Sequence, residues 1–317
     1  MSRLRARAVL VVAIVLVAAR CGGRKSEPAP SAAAPAARPA ARAATAVPAK
    51  PAPFVYPPPV KGHFADVNTG TFDLVDGIAY TAPGKAGTVV YATSKAIASP
   101  LLAGSPCPMT QARALTVLRA AGWAEVTLDA RGKSRYFGSG MAFGGSSRQE
   151  GSGWSVRSGR VADGRATGSV VHEHGGFSFD LPVFTPGVDE VSEGERVHNN
   201  RLSASADKPP EAAVRAAYGA VREAVGRKDW TALLKALGFG EKQVEGIRGL
   251  AGIDGDLAAY ADRFLDPGAI SEFSTSAGAA YVGSEGTNSN DKKFVNFYHF
   301  VPCADRLVLV QISVNPQ

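Results

Sequence analysis

The chain has 317 residues, room for two ordinary domains, and a net charge of +7 from 35 Lys and Arg against 28 Asp and Glu. The excess is local, because residues 1–60 hold nine basic residues and one acid, Glu27, leaving 26 basic and 27 acidic residues beyond them. Affinity for phosphates needs basic residues on the folded surface, so a nucleic-acid partner is not expected. Three cysteines, Cys21, Cys107 and Cys303, are too few for a disulfide scaffold and lack the paired spacing of a zinc site.

The first element is a secretory signal. Arg3, Arg5 and Arg7 precede an apolar run over residues 8–19 that Arg20 ends. Spanning about 30 Å of hydrocarbon takes roughly 20 apolar residues, so the run is too short for an anchor. Val17-Ala18-Ala19-Arg20-Cys21-Gly22-Gly23 then resembles the start of a bacterial lipoprotein. The resemblance implies removal of residues 1–20, acyl chains on Cys21 and a membrane partner reached through that lipid. Gly22 in place of the inner-membrane retention residue Asp implies the outer membrane, facing the periplasm. The alternative is cleavage after Ala19 and a soluble periplasmic or secreted protein.

Residues 21–60 read as a tether rich in Ala and Pro, a composition too poor in buried surface to offset chain entropy. Residues 62–198 read as a β-rich domain. Its expected strands cover 72–80, 88–93, 123–128, 134–137, 168–172 and 176–183, with one helix over 110–121. Gly132-Lys133-Ser134 is a hairpin turn and not a phosphate loop, since Thr127 stands where that loop needs glycine. Phe143 likewise breaks a dinucleotide-type glycine pattern begun by Gly138 and Gly140, and no G-x-S-x-G is present. His172 and His174 would share one face of a strand, the best metal candidates in the chain, but no third ligand follows and no cofactor is expected.

Residues 208–317 change character. Apolar spacing at Val214, Ala217, Tyr218, Val221 and Val225 predicts a helix capped by Asp207. Asp229 caps a second helix, and a third runs from about Asp256 to Leu265. Extended stretches at 270–282, 294–301 and 307–314 follow, the last two as a hairpin. Helices before an antiparallel sheet make the fold class α+β.

The long first helix, the Gly226-Arg227-Lys228-Asp229-Trp230 break, the helix ending Arg263-Phe264-Leu265-Asp266-Pro267 and the terminal hairpin resemble the NTF2-like (SnoaL-like) family. The resemblance implies a curved sheet wrapped round a helix to form a conical pocket, and a homodimer through the sheet. Tyr260, Asp262, Tyr281, Tyr298 and His299 are the pocket candidates. Alternation sets His299 on the face opposite Tyr298 and Phe300.

The function expected is a non-catalytic envelope lipoprotein that binds an apolar ligand or a protein. The alternatives are a small NTF2-like enzyme of isomerase or cyclase type and an outer-membrane structural or assembly factor. Cys107 and Cys303 both fall in expected loops, and their number is even once Cys21 is acylated. A disulfide joining the two regions is therefore expected, the alternative being two buried thiols. A Cys21→Ser variant is expected to leave the membrane fraction on cell fractionation, whereas unchanged partitioning would leave cleavage after Ala19.

Overall fold

The computed structural model describes residues 51–316, apart from 67–69, 82–85, 143, 150–153, 173–174, 194, 197–200, 206, 265–269, 277 and 288–292. The signal segment, Cys21, most of the tether and His174 lie outside the described residues. Residues Ala49–Gln317 form one compact unit.

The first half contains strands β1 (Val60–Asp66), β2 (Gly70–Leu74), β3 (Asp76–Tyr80) and β4 (Thr88–Thr93), then helices α1 (Ser99–Leu102) and α2 (Pro108–Leu118). Six strands follow: β5 (Gly122–Leu128), β6 (Ser134–Met141), β7 (Gly144–Gln149), β8 (Ser155–Ala162), β9 (Arg165–His172) and β10 (Gly175–Phe184). The second half contains helices α3 (Glu211–Gly226), α4 (Trp230–Ala236), α5 (Glu241–Arg248) and α6 (Ile253–Phe264). Strands β11 (Ile270–Ser276), β12 (Ala279–Thr287), β13 (Lys293–Cys303) and β14 (Arg306–Pro316) end it. The class is α+β, as the order of elements implied.

Strands β1–β10 make one sheet, in the order β2-β1-β10-β3-β4-β5-β6-β7, with β9 also on β10 and β8 on β9. Strand β10 joins its two parts. It pairs antiparallel with β1 through residues 175–179 and parallel with β3 at Val183 and Phe184. The single strand expected over 72–80 is divided at Val75, because its first half pairs with β1 and its second with β4. The stretch 270–282 is likewise divided, the turn passing through Gly278, whose φ of 67° favours glycine.

Helix α3 begins at Glu211 behind Pro210 and not at Asp207, since the extended Pro209-Pro210 pair holds the chain out of helix until then. Asp229 caps α4 as expected, accepting from Ala232 N at 2.9 Å. Helix α5 carried no expectation. It opens at Gly240, whose N–H donates to Gln243 Oε1 at 2.9 Å.

Alternation sends the faces of the large sheet to two cores. Val90, Ala92, Ala124 and Val126 join Phe64, Phe137, Val170 and Phe177 inside the sheet. Ile78, Tyr80, Tyr91 and Trp123 point the other way, into a core shared with Val214, Tyr218, Tyr298 and Phe300. Residues 62–198 and 208–317 therefore bury a common interior.

Packing against the fold extends before Gly62, into the expected tether. Phe54 N donates to Gly249 O at 3.0 Å, and a Cβ on Gly249 would meet Ala52 O at 2.5 Å, so only glycine admits this approach. Tyr56 donates to the Asp76 carboxylate, which also accepts from Gly77 N at 2.8 Å, Ile97 N at 2.6 Å and Ser99 Oγ at 2.5 Å. Composition spoke for disorder here, and two aromatic anchors overrode it.

Cys107 and Cys303 are paired, with Cα atoms 5.9 Å apart and a sequence separation of 196. The link joins the residue preceding α2 to the end of β13. In the chain-entropy model a loop this long stabilises by up to about 5 kcal/mol. The Cys107→Ser, Cys303→Ser double variant is expected to lose a large part of that in denaturant unfolding. Two reactive thiols titrating in the native protein would overturn the pairing.

Candidate functional site

The five expected pocket residues do not converge. Tyr298 is fully buried against Tyr218 of α3, with ring centroids 5.1 Å apart, beside buried Phe300 and Val282. The helix-facing side of the second sheet is thus packed with side chains. Tyr281 and His299 are register partners on the opposite face, 5.7 Å apart between rings and half-buried. Tyr260 is buried on α6, and Asp262 on the same helix is exposed. His172 lies with its ring stacked on Trp154 at 4.0 Å. Among the described residues no cluster of three or more His, Cys, Asp or Glu side chains has the geometry to hold a metal.

The polar chemistry gathers instead around α2, which is buried on nearly every face from Pro108 to Leu118. Glu190 meets the first-turn donors of the helix, accepting from Thr110 N at 2.7 Å and Met109 N at 3.1 Å. Arg113, midway along, reaches Leu202 O at 3.3 Å and faces Glu193 across 3.9 Å. Both side chains are under 5 % exposed.

The other oxygen of Glu193 accepts from Arg196 Nε at 2.8 Å and Nη2 at 2.6 Å. Arg196 Nη1 donates to Gln311 Oε1 at 3.1 Å, Gln311 Nε2 to Ser313 Oγ at 3.0 Å, and Ser313 Oγ lies 3.3 Å from His299 Nε2. This chain of contacts ties helix, loop and edge strand together. It leaves Arg113 Nε, Glu193 Oε2 and His299 Nδ1 buried without a hydrogen-bond partner, each such atom costing about 1–3 kcal/mol if nothing fills the gap.

Sequence reasoning missed Arg113, Glu190, Glu193 and Arg196 because each reads as an ordinary charge on a helix or loop. Their convergence depends on α2 being enclosed between two sheets. The only local hint was the position of Arg113 one residue from the apolar stripe of Ala114, Leu115 and Leu118.

Of the cavities that open on the surface, one of about 560 Å³ lies at the fork where β1 and β3 leave β10. Its wall is mainly apolar, from Tyr56, the prolines at 57–59, Phe179 and Phe184, with Lys61 and the Arg165–Asp180 ion pair at its edge. Another, about 260 Å³, lies between α2 and β14 and is lined by Arg113, Glu193 and Arg196 together with Trp123 and Val310.

The ionisations around α2 oppose one another. Burial raises the Glu190 carboxyl to about 7, against the helix donors and Arg113. Between pH about 4.5 and 7 the unfolded chain gives up this proton while the fold retains it, so stability falls as pH rises. Asp76, also raised by burial against its donors, acts in the same sense. Burial, helped by Arg196 and Arg113, lowers His299 to about 4. Between pH about 6.5 and 4 the unfolded chain takes up a proton that the fold refuses, so stability falls as pH drops.

Thermal unfolding across pH 4–7 is expected to show shallow dependence in the parent protein. Glu190→Gln should expose the loss on acidification, and His299→Gln the loss on raising pH. Each changes the slope by up to about 1.4 kcal/mol per pH unit. Parallel profiles for parent and variants would refute these assignments.

No family model, curated protein or solved structure matches this chain.

Proposed function

We propose that this chain is an envelope protein, lipid-anchored at Cys21 and non-catalytic, that holds an apolar ligand in the cleft at the β10 fork. The cleft carries the reading. Its volume of about 560 Å³ falls in the range of small-molecule sites, and its wall is apolar with a few charged groups at one edge. The wall is also stiff, since consecutive prolines at 57–59 have fixed φ and lose little entropy when a ligand settles against them. A ligand with an apolar body and a polar end toward Lys61 and Arg165 suits this lining. Residues 208–317 fit an NTF2-like layout in which the cone is spent on packing, as the burial of Tyr298, Phe300 and Val282 supports. That packing favours ligand binding at the fork over acid–base chemistry beneath the second sheet.

The probe is N-phenyl-1-naphthylamine, whose fluorescence rises in apolar surroundings, added to the mature protein. Saturable enhancement is expected. Ser178→Arg, which sets a long charged side chain in the cleft from an exposed strand position, should weaken it tenfold or more without moving the melting temperature. Equal probe affinity in parent and variant would exclude the cleft as the site.

A further inference from the structure

Five exposed basic residues gather where two parts of the large sheet touch. Arg131 and Lys133 stand on the β5–β6 turn and Arg135 follows in β6, while Arg157 and Arg160 belong to β8. Among the described strands β8 pairs with β9 alone, so no ladder brings it to the turn. Glycine does. Gly132 of the turn, at a φ of 75°, and Gly159 of β8 approach so closely that a Cβ on either would strike the other's carbonyl oxygen.

The acids beside these residues leave most of their charge unmatched. Asp129 spends Oδ1 on the turn itself, accepting from Arg131 N at 2.8 Å and Lys133 N at 2.9 Å. The Lys133 and Arg131 N–H donors, with the charges of Arg135 and Arg131, hold its carboxyl below the usual carboxylate range. Asp163 meets Arg160 at 3.4 Å, with both side chains largely exposed. Arg131, Lys133, Arg135 and Arg157 make no ion pair among the described residues. Like charges held together repel one another, and an anionic partner relieves that repulsion.

The distribution of charge selects the partner. This patch takes five of the 26 basic residues beyond residue 60 and two of the 27 acids, so the rest of the fold is acidic. A nucleic acid is a long polyanion that would run off the patch onto acidic surface. A bilayer is a plane that meets an exposed turn, and charges more than about 8 Å from the contact are screened at physiological salt.

We propose that the touching β5–β6 turn and β8 dock the folded unit on the headgroups of an anionic phospholipid bilayer. The proposal rests on the envelope reading above, which sets a bilayer within reach. An acyl anchor on Cys21 alone would leave the fold free on its tether, and a basic patch supplies a second, electrostatic attachment. Salt washes such a contact away, so it does not hold Cys21→Ser in a salt-washed membrane fraction.

The mature chain carrying Cys21→Ser has no acyl group, and its co-sedimentation with vesicles reads the protein surface whether or not Cys21 is lipidated in cells. At least tenfold tighter binding is expected to phosphatidylcholine vesicles containing phosphatidylglycerol than to phosphatidylcholine alone, weakening as salt rises. Arg131→Glu with Arg157→Glu should cost tenfold or more at an unchanged melting temperature. Should that reversal unfold the turn, Lys133→Gln with Arg135→Gln removes charge at exposed positions and should still weaken binding severalfold. The tether is basic too, so Arg24→Glu with Lys25→Glu is the companion variant and should lose less. A larger loss in the tether variant would overturn the proposal, as would undiminished binding in the patch variants. So would equal binding to both vesicle types, or tighter binding to a duplex oligonucleotide than to the anionic vesicles.

Discussion

A helix enclosed on nearly every face must find a partner for each polar group it carries, and α2 imposes that constraint on the whole molecule. Its backbone satisfies itself except in the first and last turns, and its side chains include Gln111, Arg113 and Thr116, none of which reaches water. Glu190 answers the first turn. Gln111 exchanges hydrogen bonds with Gln243 of α5, and Thr116 accepts from Tyr91 of β4. Arg119, just past the helix, binds Asp256 of α6 at 2.7 Å and Ala251 O at 2.7 Å. The large sheet, α5, α6 and the segment bearing Glu190 thus reach the same helix or its end through directed bonds. Sliding one layer past another would strand a buried charge.

The same enclosure explains why the two halves share an interior. A sheet that alternates apolar residues on both faces needs cover on both, and β3, β4 and β5 send Tyr80, Tyr91 and Trp123 outward from the large sheet. The helices supply that cover on one side and close the second sheet on the other. The disulfide sits at this junction, with both sulfur-bearing residues buried. It ties the start of α2 to the end of β13, while the Asp76 carboxylate ties the incoming N-terminal segment to the neighbouring turn. Cavities remain where the layers meet imperfectly, among them one beside the charges of α2 and one where β10 exchanges partners.

Much of the secondary structure was legible because its signals are local. Thr88–Thr93 is a run of β-branched and aromatic residues and forms β4. The helix expected over 110–121 forms as α2 but ends at Leu118, with Ala120 at a φ of 50°, so that Gly122 opens β5 and does not stop the helix, whereas Asp229 caps α4 with its own carboxylate. Asp129 closes the β5–β6 hairpin, accepting from Arg131 N at 2.8 Å and Lys133 N at 2.9 Å. The opposite facing of His299 and Tyr298 followed from strand alternation alone. Expectations failed where a partner from elsewhere intervened. The stretch 72–80 reads as one strand until β1 and β4 claim different halves, and Phe54 and Tyr56 read as tether until Gly249 and Asp76 receive them.

The sequence by itself determined the α+β class, the hairpins, the facing of alternate residues and the two cysteines with opportunity to pair. Periodicity, turn residues and parity are properties of short stretches of chain. Only the tertiary structure decided that the interior beneath the second sheet is packed, that α2 is enclosed, and that Arg113, Glu193, Arg196 and His299 meet. Those residues come from a helix, a loop and a strand up to 186 positions apart, and nothing in the spacing of one segment encodes the position of another. Burial also changes what the groups are. Glu190 rises to about 7 because the fold withdraws water from it, and His299 falls to about 4 because the fold both withdraws water and sets Arg196 and Arg113 near it.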